Sequence, residues 1–189
     1  MEKKRIILAI TGASGSAYAE LLMREIALLE DQVDEAGVVF SKTALKVWEH
    51  ELGSAPSVPG IFRQYAPDDF FAPLASGSAG YDAMLICPCS MGTLGRIANG
   101  ISDDLITRSA DVMLKEKRKL ILVPRETPYN LLHIRNMEQL LLAGATILPA
   151  SPSFYSKPAN IDALLMTVVE RVLVHAGFKI DHYKWGSKC

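Results

Sequence analysis

The chain has 189 residues, 49% hydrophobic and 22% charged, with 20 Lys and Arg against 21 Asp and Glu for a formal charge of −1. That length suits one domain, that apolar fraction supports a buried core and excludes a disordered tail, and the balanced charge excludes a general polyanion binder. Three cysteines are too few for a disulfide framework, and no apolar run reaches the roughly 18 residues that cross a bilayer.

Lys3-Lys4-Arg5 before Ile6-Ile7-Leu8-Ala9-Ile10 has the charge pattern of a signal peptide, but the apolar stretch is too short. It predicts a buried first strand over 5–10. A helix over 15–30, a strand over 33–40 and a helix over 42–51 follow, then a short strand over 61–65. Residues 53–60 and 72–80 have the Gly, Ser and Pro content of surface loops. Strands over 83–87 and 119–123 are apolar throughout (Met84-Leu85-Ile86-Cys87 and Leu120-Ile121-Leu122-Val123), as in a parallel sheet covered on both faces. Helices over 91–98, 103–117 and 129–143 and a strand over 145–148 lead to a last helix over 160–176. There Ile161, Leu164, Leu165, Val168, Val169, Val172 and Leu173 form one apolar stripe, opened by Asn160 as N-cap and closed by Gly177. The alternation predicts one α/β domain over 1–189, a doubly wound parallel sheet in three layers, flavodoxin-like or Rossmann-like. Its core is 5–176; the tail, 177–189, carries Trp185 and has no clear period. The expected setting is cytoplasmic, with reduced thiols and no nucleic-acid or membrane partner.

Ligands of open parallel sheets bind beyond the carboxyl ends of the strands. The first exit, Thr11-Gly12-Ala13-Ser14-Gly15-Ser16, runs into a helix whose N-terminal N–H groups can hold a phosphate, although a plain strand-to-helix turn has the same composition. Gly12-x-x-Gly15 lacks the dinucleotide spacing, and the second strand ends in Ser41 where a dinucleotide ribose needs an acid. A mononucleotide fits better. Ser90, Gly92 and Thr93 repeat the pattern after the fourth strand.

Arg125-Glu126 stands between Pro124 and Pro128, where a stiff loop can hold a carboxylate beside a cation, away from bulk water, for proton transfer; a surface ion pair fits the same spacing. Arg108 and Lys115, seven apart on one helix face, can join Arg125 and Arg171 around one anion. Arg171 flanks the last helix's stripe, where cations also snorkel, and Glu170 points to the opposite side. Cys87-Pro88-Cys89 is too closely spaced for a zinc pair, and the four histidines show no ligand spacing. No metal site is expected.

At these motifs the chain closely resembles the flavin prenyltransferase family, the ubiquinone-pathway and phenylacrylate-type enzymes once labelled decarboxylases. The matching segments are Thr11-Gly12-Ala13-Ser14-Gly15, Phe40-Ser41-Lys42, Ala75-Ser76-Gly77-Ser78, Cys87 through Leu94, Arg108 through Lys115, Pro124-Arg125-Glu126-Thr127-Pro128 and Phe154-Tyr155. They recur in family order from about residue 5 to 175. Ser156 departs from the His common after Tyr155, and Tyr129 from Phe or Leu; beyond 177 only Trp185-Gly186 matches, weakly.

The resemblance implies a flavodoxin-like fold assembled as a homo-oligomer, typically a dodecamer, with sites at subunit interfaces. It implies transfer of the dimethylallyl group of dimethylallyl phosphate to N5 and C6 of reduced FMN, without a metal. The prenylated FMN then serves a separate decarboxylase of the UbiD type. By motif position Gly12, Ala13, Ser14, Ser41, Ser90, Met91, Gly92, Thr93 and Arg125 hold FMN. Arg108, Lys115, Tyr155 and Arg171 hold the prenyl phosphate, partly across an interface, while Ser14 and Glu126 handle protons. Two alternatives remain at this stage. One is an FMN-dependent cysteine decarboxylase of the same wider fold group, whose members resemble the chain less at Arg125-Glu126 and Tyr155. The other is a non-catalytic flavin-binding subunit, which has no need of a phosphate clamp with a carboxylate.

Overall fold

The computed structural model describes residues 3–184 and Gly186; Trp185 and the third cysteine, Cys189, lie outside the described residues. The elements in chain order are β1 (Lys4–Ile10), α1 (Ser16–Leu28), β2 (Val33–Phe40), α2 (Lys42–Leu52), β3 (Phe62–Tyr65), β4 (Ala83–Cys89), α3 (Met91–Ala98), α4 (Leu105–Lys115), β5 (Lys119–Pro124), α5 (Leu131–Leu142), β6 (Thr146–Ile147) and α6 (Ile161–Ala176). The strands form one parallel sheet in the order β3-β2-β1-β4-β5-β6. This is a flavodoxin-like three-layer α/β fold with the strand order of its Rossmann version, reversing between β1 and β4.

Alternation along β1 builds both layers. Ile6, Leu8 and Ile10 pack with Leu22, Ile26, Trp48 and Val172 from α1, α2 and α6. Ile7 and Ala9 pack with Leu94, Ile106 and Leu140 from α3, α4 and α5. Every residue of β4 is buried, as its unbroken apolar run predicts.

Several expectations are corrected by local chemistry. The helix expected over 15–30 ends at Leu28, where the Leu29 N–H turns back to the Ile26 carbonyl and a 3₁₀ turn, Glu30–Gln32, follows. The helix expected from 103 starts at Leu105, because the Asp104 carboxylate accepts the Thr107 N–H as an N-cap, and the one expected from 129 starts at Leu131, capped by Asn130. Residues 72–80 are not simply a surface loop. They form two 3₁₀ turns, and Leu74 is buried against Gly37 of β2, where an added Cβ would stand 2.9 Å from Leu74 Cδ2. On α6, Val168, Val169, Val172 and Leu173 are buried, but Ile161 of the same stripe is exposed. Leu131, Leu132, Leu141 and Leu142 of α5 are exposed as well.

Candidate active site

A cavity of about 570 Å³ opens at the carboxyl ends of β1, β2 and β4, beside the reversal in strand order. It is lined by Gly12 from the first exit, Ser41 and Lys42 from the second, and Ser90, Gly92 and Thr93 from the fourth. The exits are tied together by one hydroxyl. Thr11 Oγ1 donates to the Pro88 carbonyl at 2.7 Å and accepts the Ser90 N–H at 2.8 Å. Ser41 caps α2 by accepting the Ala44 N–H at 3.1 Å, and Ser90 caps α3 by accepting the Thr93 N–H at 3.3 Å. Gly12 allows the first exit to touch α2, since a Cβ there would fall 2.5 Å from Thr43 Cγ2. Arg96, Asp103 and Asp104 complete the lining.

The structure thus brings together Gly12, Ser41, Ser90, Gly92 and Thr93 of the expected flavin-binding set. Ala13 and Met91 are buried beside them and Ser14 is half-buried; these three do not line the cavity. Arg125 follows β5, where its backbone N–H donates to the Cys89 carbonyl at 3.3 Å, but its side chain is exposed outside this cavity.

The N-terminus of α1 is not free to hold a phosphate, which corrects one expectation. Glu51, from the last turn of α2, accepts the Gly15 N–H at 3.0 Å and the Ser16 N–H at 2.8 Å. Burial raises the Glu51 pKa, but interactions with the Ser14 hydroxyl and with the Ser16 and Gly15 N–H groups outweigh it and hold the carboxyl below its ordinary value. Sequence reasoning missed Glu51, because it lies 35 residues from Ser16 and belongs to no local motif.

Glu126 is also placed differently from expectation. Both Arg125 and Glu126 are exposed rather than shielded from water, and among the described residues no ion pair joins them. Glu126 Oε1 accepts the Thr127 N–H at 3.0 Å. Nor do the four cations converge within one chain. Arg108 donates to the Ala75 carbonyl at 3.2 Å and to Asp111 at 2.9 Å, and Lys115 pairs with Glu116. Tyr155 and Arg171 do share a cavity, of about 610 Å³, next to β6 and α6. Glu170 lines that cavity too, so it does not point to the opposite side from Arg171. Arg171 Nη2 donates to His175 Nε2 at 3.4 Å.

Cys87 and Cys89 are fully buried, and burial pushes both thiols up, away from nucleophilic chemistry. Among the described residues no group of three or more His, Cys, Asp or Glu is placed to hold a metal ion. What the main cavity offers is hydroxyls, helix-capping turns and the cations of Lys42 and Arg96, a donor set suited to a phosphorylated ligand of mononucleotide size.

Comparison with known proteins agrees with that donor set. The family model described as Flavoprotein matches residues 1–173. The flavin prenyltransferase UbiX of Methanocaldococcus jannaschii is 44% identical over 186 residues, 97% of this chain and 99% of the relative. The crystal structure of AnUbiX (PadA1) in complex with FMN and dimethylallyl pyrophosphate superposes with a TM-score of 0.85 at 37% identity, covering 97% of this chain and all of that one. A dodecameric FMN-dependent UbiX-like decarboxylase from Escherichia coli O157:H7 superposes with a TM-score of 0.88 at 35% identity, again over 97% of this chain and all of that one.

Proposed function

The chain belongs to the flavin prenyltransferase family, and from that membership we propose how its own residues carry out the reaction. It is a prenyltransferase that joins a dimethylallyl group to N5 and C6 of reduced FMN. The donor in our reading is dimethylallyl phosphate. Gly12, Ser41, Ser90, Gly92 and Thr93 line the flavin cleft, and Ala13, Ser14, Met91 and Arg125 complete it from its margins. The reduced flavin supplies the nucleophile, so the chain needs none of its own.

Cleavage of the allylic C–O bond leaves a phosphate whose developing charge must be met by fixed cations. Arg171 and Tyr155 of one copy, with Arg108 and Lys115 of another, fill that role, because α4 stands apart from the Tyr155–Arg171 cavity within one chain. The exposed leucines of α5 and the exposed Phe71 and Phe154 are surfaces that such an assembly would cover. A dodecameric relative supports a homododecamer. Ser14, steadied by Glu51, and Glu126 move protons, Glu126 as the base for the proton lost from C6. The product then passes to a separate decarboxylase of the UbiD type. No helix among the described residues is long and apolar enough to cross a membrane, and we place the enzyme in the cytoplasm.

The observation that carries this reading is the hydroxyl-lined cleft at the strand reversal in a chain 44% identical, nearly end to end, to a flavin prenyltransferase. Its test is the mass of flavin extracted after incubation with reduced FMN and dimethylallyl phosphate. A gain of one C5 unit is expected, and unchanged FMN would overturn it.

A further inference from the structure

None of the cations expected to bind anions (Arg108, Lys115, Arg125 and Arg171) lines the flavin cleft. The cleft's positive charge comes instead from Lys42, which is exposed, and from Arg96, which is half-buried on α3. Arg96 is held in a fixed pose. Its Nη1 donates to Asp103 at 2.5 Å and to Asp104 at 2.9 Å. Asp104 is itself immobilised as the N-cap of α4. The opposite nitrogen, Nη2, stands 3.4 Å from Thr93 Oγ1, which also accepts from the Ser90 hydroxyl at 3.1 Å.

The guanidinium therefore has two working edges. One is anchored by carboxylates, and the other meets the Ser90–Thr93 hydroxyl pair on the cleft wall. Planar donors pre-oriented in this way suit a phosphate better than a flexible ammonium does. Charge arithmetic points the same way. Asp68, Asp103 and Asp104 all line the cleft and would repel a phosphate, so the ligand's dianion requires a cation that screens the Asp103–Asp104 pair. Among the described residues Arg96 is the cation paired with both acids.

We propose that Arg96, braced by Asp103 and Asp104, binds the 5′-phosphate of FMN beside Ser90 and Thr93, and so sets the preference of this enzyme for FMN over riboflavin. The assignment rests on the flavin-binding reading above and is independent of the prenyl donor.

The test is fluorescence titration of the full-length chain with FMN and with riboflavin, for wild type and Arg96→Gln. FMN affinity should fall about tenfold to a hundredfold, the range for a charge-assisted contact, while riboflavin affinity changes by less than about twofold. Riboflavin binding also serves as the folding control. Inorganic phosphate should compete with FMN in the wild type and do so less in the variant. Equal losses for both flavins would make Arg96 a scaffold residue and overturn the proposal, as would an unchanged FMN affinity. If Arg96→Gln does not fold, Arg96→Lys decides: it keeps the charge but cannot span both acids and Thr93, so it should lose part of the preference for FMN, and an unaltered preference overturns the idea. Because no prenyl donor is present, failure of prenyl transfer would leave this result standing, and failure here would leave prenyl transfer standing.

Discussion

Glu51 accepts the Ser16 N–H at 2.8 Å, a carboxylate from the end of α2 closing the N-terminus of α1. The same carboxylate takes the Gly15 N–H, so an internal anion holds the turn carrying Ser14. An acid in this place compensates the positive end of the helix dipole and two otherwise unpaired N–H groups.

Glu51→Gln should therefore destabilise the fold by about 1 kcal/mol at neutral pH, the usual worth of an N-terminal cap. The sign of its pH dependence follows from the lowered pKa of Glu51 in the folded chain. A depressed carboxyl contributes stability above its unfolded pKa of about 4.3, and loses it as pH falls through the folded value. Urea unfolding should show wild type and variant separated at pH 7 and converging as both are acidified below about pH 4. A gap that persists in acid would mean that the charge of Glu51 is not what the turn uses. Slower prenyl transfer with intact FMN affinity is expected alongside, because Ser14 loses its support.

Arg171→Ala and Lys115→Ala should each lower kcat/KM for dimethylallyl phosphate by about tenfold to a hundredfold. Flavin affinity should hold, since neither residue lines the flavin cleft. Titration of FMN beside steady-state kinetics checks the division. A loss confined to FMN binding would place both residues in the wrong subsite. Mixing the two impaired variants provides a second check, because sites shared between copies recover some activity when an intact Arg171 meets an intact Lys115.

The strands were legible because burial on both faces leaves an unmistakable pattern: β2 runs from Val33 to Phe40 as its apolar content predicts, and α6 lies between its cap Asn160 and Gly177. Helix starts at Leu105 and Leu131 were less legible. Their signals were the caps Asp104 and Asn130, with Thr107 and His133 three residues on, and apolar periodicity blurs across such caps. Within the site, Gly12, Ser41, Ser90, Gly92 and Thr93 could be found because each lies within about one helical turn of a strand's carboxyl end. Glu51 and Arg96 could not be found that way. Their positions depend on how α2 and α3 pack, and a charged residue on a helix has no local mark separating a solvated face from a cleft wall. The convergence of Arg108, Lys115 and Arg171 fails within a single chain for a related reason, since helical spacing fixes a shared face but not the neighbour it meets.

Chelation should leave both flavin binding and prenyl transfer unchanged. The phosphate-binding roles proposed above fall to guanidinium, ammonium and hydroxyl donors, and no cluster of three or more metal-ligating side chains occurs among the described residues. Activity measured before and after exhaustive EDTA treatment checks this. Loss of turnover restored by a divalent ion would show that cations of the chain alone do not stabilise the departing phosphate.

Glu126→Gln bears on an exposed residue of the proposed machinery. Glu126 is exposed, and the bond that it accepts from the Thr127 N–H lies within its own loop. Gln keeps the size and the acceptor oxygen of that bond, so loop geometry, thermal stability and FMN affinity should all match wild type. Only the capacity to take a proton is lost. Bond formation at C6 must release a proton, and a missing general base typically costs about 10²–10⁴ in rate. Single-turnover measurements with mass analysis of extracted flavin should show product appearing slower by that factor, and Glu126→Asp should recover part of it by restoring a carboxylate on a shorter arm. A base in this role needs shelter that one chain does not provide; in the proposed assembly the copy that brings Lys115 to Arg171 would also cover the loop between Pro124 and Pro128. If Glu126→Gln forms product at the wild-type rate, Glu126 is a surface residue and the proton leaves by another route.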